Sequence, residues 1–269
     1  MNYWQKKICL ITGASSGLGL SISRAFARCG AHVIMNARTI GPLDENAAIL
    51  KDAGGKVTSC PGDVTSQADV ERIAEYVRTQ FGGIDLLCNC AGQSTRKGVL
   101  ATTPEDFQQL WEINFLSAVR TTRAFADGLI SRQGHVVNIG SLASKVATRY
   151  YGAYPASKFA LAAYSQQLRL ELGPQGLHAL LVCPGPIKRA GQTPRYVADA
   201  AGIPESAQQP GGGAKIRGLD SDWLAERILT ACERRQAELI VPAKVRLLLA
   251  LGAISPRLGD WLLKRATGG

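Results

Sequence analysis

The chain of 269 residues is 46 % hydrophobic and 19 % charged, with a formal net charge of +10 at neutral pH. Its length suits one large α/β domain, and no apolar run approaches the roughly 18 residues of a membrane span. Lys and Arg are spread along the chain with no stripe interleaving them with aromatics, so nucleic acid is not an expected partner.

Residues 7–12 form the first expected strand, an apolar run around Ile8, Leu10 and Ile11. Its early start leaves no room for a secretory leader. Seven scattered cysteines, an odd number, suit reduced thiols in the cytoplasm. The strand runs into Thr12-Gly13-Ala14-Ser15-Ser16-Gly17-Leu18-Gly19, and a helix over 17–29 follows, carrying Leu20, Ile22, Ala25 and Phe26. Strand, glycine-rich turn and helix start make a phosphate cradle. Glycines let the backbone approach a pyrophosphate, and the helix N-terminus offers unpaired N–H groups and the positive end of its dipole.

The second strand, 32–36, is followed by Ala37-Arg38. A carboxylate at this point would bind an adenosine ribose and repel a 2′-phosphate. None stands here, and the Arg38 guanidinium is a fork suited to phosphate, which favours NADP(H) over NAD(H). Ser16, just before the second glycine, adds only a neutral donor.

Further on, strands are expected over 56–60, 85–89, 135–140, 178–183 and 238–241. Helices are expected over 44–52, 66–81, 104–126, 151–172 and 221–235. This alternation predicts a parallel sheet with helices on both faces. Asp63 is placed to cap the helix beginning near Ser66. His32, His135 and His178 lie beside or inside strands as core-edge residues, and no metal-ligand cluster is expected.

Tyr154 and Lys158 stand four residues apart at the start of an expected helix, so they share a face. A nearby cation favours the phenolate and lowers the Tyr154 pKa from its usual value near about 10. That makes Tyr154 a candidate general acid/base. Tyr150 and Tyr151 have no lysine four residues on. Pro155 is tolerated only near a helix start, which places the boundary at Tyr151 to Tyr154. Ser141 follows the strand ending Asn138-Ile139-Gly140, where its hydroxyl can donate to a developing alkoxide.

In order, Thr12-Gly13-x-x-x-Gly17-x-Gly19, Asp63-Val64, Asn89-Cys90-Ala91-Gly92, Asn114, Ser141, Tyr154-x-x-x-Lys158 and Pro184-Gly185 resemble the short-chain dehydrogenase/reductase family over roughly residues 6–186. The resemblance implies a single Rossmann-like domain over 1–269, with a doubly wound parallel sheet. It implies Asn114, Ser141, Tyr154 and Lys158 as catalytic residues, Asn114 holding a water that relays protons to Lys158. It implies cofactor contacts from Gly13, Ser15, Ser16, Gly17, Leu18, Gly19, Arg38, Asp63, Val64, Asn89, Ala91, Gly92, Tyr154, Lys158, Pro184, Gly185 and Ile187. The last of these would offer its amide to the nicotinamide carboxamide. Where many relatives carry Thr near position 189, this chain has Arg189, an open role. The implied reaction interconverts a ketone or aldehyde and an alcohol, on an apolar or acyl-like substrate. The rival is a catalytically silent NADP(H) sensor or scaffold, which typically loses the tyrosine or lysine.

Residues 187–218, with the run Pro210-Gly211-Gly212-Gly213, are a long loop that in this family covers the substrate. Residues 242–269 carry five Lys/Arg against one Asp, flanking apolar faces. This extension covers the domain's own core, packs on a second subunit, guides a greasy substrate or makes peripheral contact with an anionic membrane. Resemblance implies a homodimer or homotetramer through the helices containing Asn114 and Tyr154.

Overall fold

The computed structural model describes residues 2–188, 203–208 and 217–266. Seven strands form one parallel sheet in the order β3-β2-β1-β4-β5-β6-β7. They are β1 Ile8–Thr12, β2 His32–Asn36, β3 Lys56–Ser59, β4 Leu86–Asn89, β5 His135–Ile139, β6 His178–Pro184 and β7 Glu238–Val241. The direction of winding reverses between β1 and β4, and this switch point opens a crevice at the carboxyl ends of the strands.

Successive strand residues point to opposite faces, and each face finds its own helices. On one side Cys9, Ile11 and Val182 pack with Ile22 and Phe26 of α1 (Gly17–Arg28) and Leu224 and Ile228 of the helix Ser221–Glu233. On the other, Leu10, Leu87 and Val136 meet Ile73 and Val77 of the helix Gln67–Phe81, and Phe125 and Leu129 of the helix Ser117–Ser131. This is a Rossmann-like, doubly wound fold, as expected from the alternation of elements.

Several boundaries differ from expectation for local reasons. Helix α2 runs from Ile40 to Asp52, starting earlier than predicted, because Pro42 falls in the first turn where its missing N–H has no partner to lose. Helix α3 (Gln67–Phe81) is capped by Ser66, whose Oγ accepts from the Asp69 amide. Asp63 does not cap it; its carboxylate accepts from the Thr65 amide and hydroxyl instead. The helix expected over 104–126 comprises α4 (Pro104–Trp111), a π turn (Glu112–Leu116) and α5 (Ser117–Ser131). Thr103 and Asp106 close its start as a reciprocal capping box.

Helix α6 (Tyr154–Leu172) begins at Tyr154 with Pro155 in its first turn, inside the expected interval. A short helix α7 (Glu205–Gln208) precedes α8 (Ser221–Glu233). Beyond residue 242 the sequence shows only apolar faces; the structure folds them into a hairpin of α9 (Val245–Ile254) and α10 (Pro256–Ala266). The two helices meet backbone to backbone, so that a Cβ on Gly259 would lie 3.1 Å from the Cα of Gly252.

At the opposite end of the sheet, His135 and His178 are register partners on β5 and β6. A chain of hydrogen bonds runs through them. The Tyr3 hydroxyl lies 2.8 Å from His135 Nε2, His135 Nδ1 lies 2.8 Å from His178 Nδ1, and His178 Nε2 lies 2.8 Å from the Gln236 carbonyl. The carbonyl can only accept, so His178 carries its proton on Nε2, His135 on Nδ1, and Tyr3 donates to His135. Burial lowers both imidazole pKa values, His135 to about 3. Cys232 lies close enough to complete a three-residue group with these histidines. Their ring nitrogens are already committed to one another, to Tyr3 and to Gln236, and burial pushes the Cys232 thiol pKa up. These are core residues rather than an open ligand set. Trp4 seals this end, fully buried edge-on against Phe26.

Candidate active site

At the carboxyl edge lies a cavity of about 1970 Å³, larger than a single drug-sized ligand needs. Its floor is the glycine turn. Gly13 has φ of +65°, and a Cβ there would sit 2.9 Å from the Ala91 backbone. At Gly19 a Cβ would fall 2.2 Å from the Gly13 carbonyl oxygen. The turn is therefore closed by backbone-to-backbone contact, and Ser16 at the N-cap of α1 makes no side-chain capping bond to its first turn. A cradle that no side chain can enter, beneath a helix start without its own cap or acidic residue, fits a dinucleotide pyrophosphate. Gly19→Ala is expected to weaken binding of a nicotinamide dinucleotide roughly tenfold or more, about 1.4 kcal/mol, in a fluorescence titration.

Thr12, not singled out from the sequence, fixes the neighbouring loop: its Oγ1 accepts from the Cys90 and Ala91 amides at 3.0 and 3.1 Å. Ala91 and Gly92 line the cavity there, as do Ser15, Ser16, Gly17, Leu18, Asp63 and Val64. Asn89 does not. Its amide nitrogen reaches Asn138 and Thr122, and its oxygen accepts from Thr121. Its side chain joins β4 to β5 and α5, which stabilises the central strand. Asn138 passes the network on to Ser165 of α6.

At the end of β2 the Asn36 side chain is buried, donating to the Cys60 and Gly62 carbonyls. The adjacent Arg38 stands exposed on the rim, 3.9 Å from Asp63. No carboxylate occupies the strand end.

Ser141 caps the short 3₁₀ turn Leu142–Ser144, and its oxygen accepts from the Ala143 amide. That bond orients the hydroxyl, whose proton can then be given to an oxygen in the cavity. Tyr154 and Lys158 line the same space, with Lys158 Nζ 5.8 Å from the Tyr154 ring centre. Lys158 is 5 % exposed and donates to the Ile139 carbonyl at 2.8 Å. Burial lowers its pKa to about 8, opposed by the Cys90 and Cys183 thiols. The ammonium therefore remains largely charged at neutral pH, poised beside the phenol.

The Asn114 amide sits in the π turn and is fully used as a donor, to the Gln93 carbonyl and Ser157 Oγ, while its oxygen accepts from the Gln93 amide. It clamps the loop after β4 to α6. Holding a relay water through its amide N–H groups, one form of the expected role, is not open to it.

Pro184, Gly185 and Ile187 complete the far wall, where the Gly185 amide donates to Val241 and an isolated bridge pairs Ile187 with Leu219. Arg189 lies outside the described residues, as does most of the expected covering loop. A cation missed by the sequence stands opposite. Arg96 is buried, its guanidinium 3.8 Å from the centre of the Tyr151 ring and its Nε donating to the Ala207 carbonyl in α7. Neither Arg96 nor Tyr151 sits in a recognisable motif. Leu248, Leu249, Leu262 and Leu263 of the carboxyl hairpin supply an apolar wall.

A family model described as short chain dehydrogenase matches residues 7–198. Ketoacyl reductase HetN of Nostoc is 30 % identical over 258 residues, 93 % of this chain and 85 % of that protein. Glycine betaine reductase ATRR of Emericella nidulans is 35 % identical over 66 % of this chain, but that stretch is only 14 % of the larger protein. L-sorbose reductase of Gluconobacter frateurii, solved with NADPH and L-sorbose, is 29 % identical with a TM-score of 0.76, covering 88 % of this chain and 95 % of that one.

Proposed function

The chain belongs to the short-chain dehydrogenase family, and on that footing we propose that it interconverts a ketone or aldehyde and an alcohol with NADP(H). The observation that carries this reading is the convergence of Ser141, Tyr154 and Lys158 on the cavity floored by the Gly13–Gly19 cradle. A bound nicotinamide dinucleotide supplies or accepts the hydride. The protein's residues handle the proton. Tyr154 gives its hydroxyl proton to the carbonyl oxygen, Ser141 donates a hydrogen bond to that oxygen, and the Lys158 ammonium stabilises the resulting phenolate. Lys158 and Ile187 line the cavity, where they would hold the cofactor through the nicotinamide ribose hydroxyls and the carboxamide.

NADP(H) is favoured by Arg38 and by the absence of a carboxylate in Asn36-Ala37-Arg38 at the end of β2. Arg38→Ala should raise the KM for NADPH about 10–100-fold and leave that for NADH nearly unchanged, since a charge-assisted hydrogen bond contributes about 1.5–3 kcal/mol. An equal effect on both cofactors would refute the assignment.

The leucines of α9 and α10 suit an apolar or acyl-like substrate. The tie from Arg96 to α7 supports residues 187–218 as the covering segment. Exposed Phe107, Trp111, Phe159 and Leu170 on α4 and α6 support a homodimer or homotetramer through those helices. All seven cysteines are free, which supports a reducing, cytoplasmic setting. The test is NADPH consumption against small diketones, 3-oxoacyl thioesters, sugars and steroid-like ketones. Turnover of one class names the substrate chemistry; tight NADPH binding with no turnover of any class favours a sensor.

A further inference from the structure

We propose that the α9–α10 hairpin, with the tip of the loop after β4, docks on an anionic lipid surface. Val245 is the one buried residue of α9. Leu248, Leu249, Leu262 and Leu263 face the cavity, yet the other side of the hairpin is apolar too. Leu247, Ile254 and Trp261 are 68 %, 79 % and 53 % exposed. Large apolar side chains held out on the outer side of a helix pair, between exposed cations, suit an apolar boundary rather than open water.

The same carboxyl edge of the sheet carries Val99 and Leu100, 79 % and 99 % exposed, on the loop after β4. Contiguous exposed apolar surface marks a docking site, whereas single scattered apolar residues do not.

Charge decides what docks. Lys244, Arg246, Arg257, Lys264 and Arg265 are exposed on the hairpin against the single acid Asp260. The Arg265 guanidinium lies 5.4 Å from the Trp261 ring, pairing an interfacial aromatic with a cation at one level. A two-fold contact with a second copy would set these five cations against themselves, within a chain of net charge +10. Anionic headgroups complement them. No described helix is long and apolar enough to cross a membrane, so the hairpin lies in the plane of the headgroups. Its inner leucines then form the partition between lipid and cavity.

The test mixes the full chain, with NADPH, with vesicles of phosphatidylcholine alone or with phosphatidylserine, and reads cosedimentation. The parent should bind the anionic vesicles, lose binding at high salt, and show a blue shift of tryptophan emission that Trp261→Phe removes. Leu247→Asp with Ile254→Asp should weaken vesicle binding roughly tenfold or more, while NADPH binding and any turnover of a water-soluble carbonyl stay at the parent's level. These side chains do not line the cavity, so the docking result stands or falls independently of the enzymatic reading. Three results would overturn the proposal: no sedimentation with either vesicle, unchanged binding by the double variant, or a double variant of lower oligomeric mass, which would make the face a subunit contact.

Discussion

Tyr154→Phe is expected to lower carbonyl turnover by about 10²–10⁴-fold, the usual contribution of a positioned general acid. The substitution removes one oxygen and keeps the ring. Pro155 in the first turn, the Lys158 bond to Ile139 and the clamp from Asn114 to Ser157 do not depend on that oxygen. NADPH affinity should therefore stay within about twofold of the parent, with the loss confined to kcat, because proton donation is made only in the transition state. Stopped-flow binding and steady-state turnover on one preparation separate the two effects. A variant that turns over within tenfold of the parent would remove Tyr154 from the mechanism.

Acid should destabilise the protein well above the usual carboxylate range. With both imidazoles neutral the chain Tyr3–His135–His178–Gln236 donates in one direction, and a proton added to either ring turns Tyr3 from donor to acceptor in a buried setting that disfavours the charge. His135 is held at about 3, below the ordinary imidazole value of 6.5, and His178 is lowered as well, both by burial first. The unfolded chain therefore binds more protons between those two values. Stability from this pair is complete above pH 6.5 and is lost as pH falls towards 3. At about 1.4 kcal/mol per pKa unit, His135 alone accounts for about 3 kcal/mol by pH 4. Urea unfolding from pH 7 to pH 4 should show that slope, and His135→Leu with His178→Leu should flatten it. Should the double variant fail to fold, imidazole NMR shifts of the parent decide the matter, as a mid-point near 6.5 would contradict the neutral chain.

Much of the fold was legible because each strand is a short, nearly pure apolar run bounded by turn residues. β2 and β7 match their expected bounds, and the others shift by a residue at one end or are trimmed at a terminus. Site residues were legible where a motif constrains the backbone, as at Gly13, Gly19, Tyr154 and Lys158. What escaped depends on register or on distant chain. The π turn around Asn114 keeps the apolar periodicity of its flanking helices and leaves no compositional mark. The side-chain network of Asn89 depends on Thr121 and Asn138, which come from α5 and β5. Arg96 becomes a wall of the cavity only through Tyr151 and Ala207, respectively 55 and 111 residues further on. His135 and His178 are core-edge residues by sequence, and only the pairing of β5 with β6 makes them partners.

That pairing also divides the labour within the molecule. The imidazole chain lies at the amino edge of the sheet and the cavity at its carboxyl edge, about 17 Å apart along the five residues of β5. Sites this far apart with no shared partners combine almost additively. A bench evolution programme could therefore set acid tolerance at the foot of the sheet and substrate choice at its head in separate libraries, then join the winners without rescreening their cross-terms.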